Sequence, residues 1–129
     1  MYKYQKYMHY FDKWMNNREH DLWIPDYFSK KGSPSIAIYG CGMLGRHLIW
    51  ELEKMKYPIS WIMDKGDSSS TVCSKTIGIN EVANAPKVDL IIVTAMADYE
   101  EIEKFLCDYD IGRPIGLDEL INIINGGVK

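Results

Sequence analysis

Short apolar runs alternate along this chain with longer stretches whose apolar residues recur every three or four positions. The first pattern marks buried strands and the second marks helices with one buried face. Ile36-Ala37-Ile38-Tyr39, entered through Ser33-Pro34, suits a strand covered on both sides. Leu48, Ile49, Leu52 and Met55 then fall at helical spacing until Tyr57-Pro58 stops them. Ile59, Trp61 and Met63 alternate with Ser60 and Ile62 as a second strand that leads to Asp64. Residues 65–76, KGDSSSTVCSKT, are polar and read as a loop. Ile77-Gly78-Ile79 is a very short strand, and Asn80 is placed to cap a short helix before Pro86. Val88 to Val93 is the strongest strand pattern in the chain. Asp98 and Glu101 form a D-x-x-E capping pattern for a helix that buries Ile102, Phe105, Leu106 and Tyr109 and ends at Gly112. Pro114-Ile115-Gly116 predicts a last strand, and Asp118 to Ile124 a last helix.

Residues 1–31 differ from the rest, and the chain divides into this helical, aromatic-rich arm and a unit over 32–129. Tyr4, Tyr7, Met8, Phe11, Trp14 and Met15 make one aromatic stripe, which Asn16-Asn17 is expected to weaken or end. A second short helix is predicted from Pro25, where a missing N–H costs nothing, to Gly32, a good residue just past a helix end. The stripe must cover something: first the flank of the sheet, next the same surface of a second subunit. Alternating strands and helices predict an α/β fold, a doubly wound parallel sheet of about five strands in the order 3-2-1-4-5. The order reverses between strands 1 and 4, and a crevice opens there above their C-terminal ends.

The turn after the first strand carries the most specific signal. Gly40-Cys41-Gly42-Met43-Leu44-Gly45 fits G-x-G-x-x-G. The first glycine permits a tight exit from the strand, the second a close approach of backbone to a diphosphate, the third close packing of helix on strand. The leading N–H groups of the helix have no partner within it, and its dipole favours an anion there. Asp64 stands about 24 residues beyond Gly40, near where an acid receives a ribose hydroxyl pair. Thr94 and Ala95, after the best strand, face the same crevice.

Composition narrows the classes. The 129 residues are 47% hydrophobic, enough for one domain with a real core. Fifteen basic and eighteen acidic residues leave a net charge of −3, so no basic excess favours nucleic acid. No apolar run approaches the roughly 18 to 20 residues that cross a bilayer. The opening MYKYQKYMHYFDKW has no continuous apolar stretch and is not expected to be a secretory signal. Cys41, Cys73 and Cys107 form no C-x-x-C pair, so neither a zinc site nor a disulfide framework is expected, and a cytoplasmic setting is.

The segments IAIYGCGMLGRHLIWEL, ISWIMDK, TIGINEV, VDLIIVTAMADYEEIEKFL and PIGLDEL resemble a small Rossmann-like domain over about residues 34–120. It is similar to the nucleotide-binding domains beside polysaccharide-biosynthesis enzymes. Related versions are the N-terminal domains of sugar-nucleotide dehydratases and sugar O-acyltransferases, and CoA-binding-like domains. The resemblance implies a cytoplasmic NAD(P)- or nucleotide-binding fold. It implies phosphate contacts at Gly40, Gly42, Met43 and Leu44, a ribose contact at Asp64, and a wall at Thr94 and Ala95. Enzymes of those families continue into a catalytic part, which is not evident here.

The candidate chemistry is sparse. Tyr27-x-x-x-Lys31 has the spacing of a short-chain dehydrogenase pair but lies upstream of the glycine turn, where an amphipathic helix explains it better. Cys41 sits at a helix start that could lower a thiol pKa, yet a small residue tolerated in the turn is the simpler account. Arg46 could reach a phosphate or merely be solvated, and His9 and His20 have no evident partners. Asp64 favours NAD, whereas Lys65 could meet the 2′-phosphate of NADP; CoA or a nucleotide-sugar also remains open. No catalytic or metal-binding residue is assigned. The preferred expectation is a nucleotide-binding module that dimerises through its arm and serves a partner enzyme in sugar-nucleotide or polysaccharide metabolism. The alternatives are an NAD-dependent oxidoreductase completed by another subunit, and a redox- or nucleotide-sensing regulator.

Overall fold

The computed structural model describes residues 3–64 and 76–127. The serine-rich segment that contains Lys65 and Cys73 lies outside them. The elements run α1 (Lys3–Glu19), α2 (Ile24–Lys30), β1 (Ile36–Tyr39), α3 (Met43–Lys54), β2 (Ile62–Asp64), β3 (Thr76–Gly78), β4 (Leu90–Val93), α4 (Tyr99–Cys107), β5 (Arg113–Gly116) and α5 (Leu117–Asn125). Two 3₁₀ segments, Ile79–Asn84 and Met96–Asp98, complete the order.

All five strands are parallel, in the order β3-β2-β1-β4-β5. Ile38 lies level with Ile62 on one side and Ile92 on the other, and Ile92 with Ile115. Alternation then sorts the side chains. Ile36, Ile38, Ile62 and Ile92 enter one core with α3, α5 and the arm residues Trp14, Ile24 and Phe28. Ala37, Tyr39, Met63, Ile91 and Val93 enter a second core with Ile102 and Leu106 of α4.

Several boundaries differ from the sequence expectation. The second strand is shorter: Ile59 and Trp61 are buried but precede it, and the Ser60 N–H bonds Ile36 O at 2.8 Å. The third begins at Thr76, and Ile79 instead opens the 3₁₀ segment. Gly78, not Asn80, precedes that segment, and its N–H donates to Glu81 Oε1 at 3.3 Å. Asp98 makes no side-chain cap on α4, because residues 96–98 already coil ahead of the helix. Tyr109 lies beyond the end of α4 and is 39% exposed.

The arm departs most. Asn16-Asn17 does not end α1, which runs on to Glu19. Asn17 is buried because its amide finds partners outside the helix: it donates to Ile121 O at 3.3 Å and accepts from Asn125 Nδ2 at 2.6 Å. Such pairing removes the competition with the backbone that makes asparagine a poor helix residue. The stripe also splits. Tyr7, Phe11, Trp14 and Met15 turn inward, whereas Tyr4 and Met8 are 76% and 72% exposed.

One carboxylate fixes this packing. Glu51, on α3, is fully buried. It accepts from Trp14 Nε1 at 3.0 Å, Arg18 Nε at 2.7 Å and the Ile24 N–H at 2.7 Å. The Arg18 guanidinium also lies over the rings of Trp14, Trp23 and Trp50 at 5.0, 5.8 and 5.2 Å. Removing one partner of a buried charge pair costs about 3–5 kcal/mol. Glu51→Ala is therefore expected to lose stability of that order in urea unfolding, with α1 becoming accessible to protease.

Tyr99 joins α4 to β5, its hydroxyl lying 3.1 Å from Glu103 Oε2 and 3.2 Å from Pro114 O. Burial first, then the Glu103 hydrogen bond, pushes its pKa from 10.0 up to about 12. A raised folded-state pKa gives stability that is complete below pH 10 and is lost as pH rises toward 12. Tyr99→Phe should flatten the fall of the urea midpoint across that window.

Candidate nucleotide-binding cleft

β1, β2 and β4 end side by side, and the chain leaves each of them at one cleft of about 530 Å³. That volume falls within the usual range of small-molecule sites. Gly40, Cys41, Gly42, Met43, Leu44, Gly45, Asp64, Thr94 and Ala95 all line it. Of the residues singled out in the sequence as binding candidates, only Lys65 falls outside the described residues.

The three glycines have different reasons to be glycine. Gly40 has φ +108°, and a Cβ there would collide with the Thr94 hydroxyl. A Cβ on Gly45 would strike the Gly40 carbonyl, so that glycine lets α3 sit close on the turn. Gly42 is unlike both. Its φ is −77°, and among the described residues nothing beyond its own chain neighbours and helix lies within 4 Å of where its Cβ would stand. Packing does not require a glycine there, although glycine is a fair residue at a helix N-cap.

Gly42 precedes α3 and offers no side-chain cap. The Arg46 N–H, which meets Gly42 O at 2.9 Å, makes the first bond of the helix. The amides of Met43, Leu44 and Gly45 come before it, in the stretch that needs partners from outside the helix. Thr94 is 5% exposed, with its hydroxyl 3.2 Å from Tyr39 O and 3.1 Å from Gly40 O. It lines the cleft as expected, but its hydroxyl is committed to the turn.

The sequence reading missed several walls. Tyr39 ends β1 in the cleft; burial, then Asp64 and Asp98, raises its pKa, so the phenol stays neutral. Asp98 and Glu101, read as a capping pair, line the cleft beside Ile102 and Phe105. Their position on the loop and helix after β4, next to the strand-order reversal, was the available signal. Lys3 and Tyr7 reach the cleft from α1, and nothing in the sequence announces where α1 docks.

Other candidates lie elsewhere. Arg46 is exposed and is not among the residues lining the cleft. Lys31 lies over the Tyr27 ring at 5.7 Å, a packed pair on the arm away from the glycine turn. His20 Nδ1 is 2.9 Å from Asn16 O, one turn back in α1. Among the described residues, no group of three or more His, Cys, Asp or Glu could hold a metal ion, and no helix is long and apolar enough to cross a membrane.

No family model, curated protein or solved structure matches this chain. The site must be read from its own residues. It offers the amides of a helix start for an anion, a carboxylate for hydroxyls at Asp64, and an apolar wall at Ala95, Ile102 and Phe105 for a ring.

These glycine environments predict an ordering. Gly40→Ala and Gly45→Ala should each lose about 1–3 kcal/mol from overpacking, with added strain at Gly40. Gly42→Ala should lose less, about 0.5–1 kcal/mol from a poorer helix cap with no crowding. Urea unfolding of the three variants checks this; an equal loss at Gly42 would mean that position is constrained by folding.

Proposed function

We propose that this chain is a nucleotide-binding module that takes a dinucleotide across the start of α3, NAD(H) in preference to NADP(H). The observation that carries this reading is Gly42: a glycine facing open cleft, with no neighbour among the described residues close enough to forbid a side chain. Close approach of a diphosphate to the backbone supplies the missing reason. Asp64, ending β2, supports the preference, since a carboxylate accepts ribose hydroxyls and repels a 2′-phosphate. Among the described lining residues the only titratable nitrogen is that of Lys3, which supports binding with the reacting groups supplied by a partner enzyme. The resemblance to domains of sugar-nucleotide enzymes suggests sugar-nucleotide or polysaccharide metabolism as the setting. Tyr4 and Met8, one helical turn apart and exposed, are the part of the arm left to support a homodimer.

Calorimetric titration with NAD, NADH, NADP and CoA tests the reading. Saturable binding of NAD or NADH is expected, with at least a tenfold loss in Gly42→Val while its circular dichroism holds and its urea midpoint falls only by the roughly 1 kcal/mol of a poorer helix cap. Equal affinity in Gly42→Val would overturn the placement of the diphosphate, and no binding of any of the four would overturn the module itself.

A further inference from the structure

Among the described residues, the cleft is lined by more acids than bases. Asp64, Asp98 and Glu101 bring three carboxylates to it, and Lys3 brings the sole ammonium among the described lining residues. A diphosphate entering such a cleft carries two further negative charges. The start of α3 offers only about half a positive charge. Arg46, the cation nearest in sequence to the glycine turn, is exposed and outside the lining.

Lys3 is placed by more than its own helix. It and Tyr7 are one turn apart on α1, and its Nζ lies 5.7 Å from the Tyr7 ring centre, with both residues at the cleft. Lys6 pairs with Asp118 of α5 at 3.4 Å, on the same two turns. Farther along α1, Trp14 and Arg18 bond Glu51 of α3, the helix whose first residues form the opposite lip. The α1 start and the α3 start are thus held by one framework.

We infer that Lys3 is a binding residue, the cation that neutralises the ligand's diphosphate, and that the first two turns of α1 are a wall of the site. This rests on the nucleotide-binding reading above and extends it to the arm. A point charge on a flexible stem suits a phosphate contact made from the rim.

The test is calorimetric titration of the untagged full chain with NAD at several salt concentrations, using the parent, Lys3→Gln, Lys3→Arg and Gly42→Val. Lys3→Gln is expected to weaken NAD about three- to tenfold at low salt and to reduce the salt dependence of the affinity. Lys3→Arg should restore both. Lys3 is exposed, so the fold is expected to hold, and a matching urea midpoint checks that. Unchanged NAD affinity in Lys3→Gln, with the loss in Gly42→Val intact, would overturn the role of Lys3 and leave the glycine-turn reading standing. Absence of NAD binding by the parent would overturn both.

Discussion

The buried carboxylate of Glu51 governs how this molecule is put together. A charge with no access to water is tolerable only when its lone pairs are taken up, and here an indole, a guanidinium and a backbone amide take them. The donors come from α1 and from the first residue of α2, the acceptor from α3. Three helices are therefore locked in one mutual arrangement by a single side chain. The surrounding indoles add favourable contact with the guanidinium and exclude solvent from the pair.

The sheet imposes the second constraint. In a parallel sheet with both faces covered, the only backbone left to meet a ligand is at the strand ends. The neighbours of β1 continue in opposite directions through the sequence, β2 on one side and β4 on the other. The ends of β1 and β2 and the residues after β4 line the cleft. Arm and sheet meet there: the same framework that buries Trp14 brings Lys3 to the rim.

The α/β class, the strand order and the glycine turn were legible in the sequence because they are written in local periods. Ile36 to Tyr39 and Leu90 to Val93 are apolar on both faces, and no helical reading competes for so short a run. What was not legible depends on partners far away in the chain. Asn17 reads as a helix breaker until Ile121 and Asn125 satisfy it. Glu51 reads as an ordinary polar helix position, since the residues that bury it are Trp14, Arg18 and Ile24. Asp98 and Glu101 fit a local capping pattern, and that local explanation hid their place in the cleft. Local patterns located the glycine lip of the site; the arm and α4 side needed the tertiary structure.

Thr94 ties the glycine lip to the sheet. By engaging the carbonyl oxygens of Tyr39 and Gly40, it turns those oxygens toward β4. The Gly40 N–H is engaged as well, donating to Met63 O of β2 at 2.7 Å. The turn is thus stitched to the strands on both sides of β1, and its shape follows from their spacing.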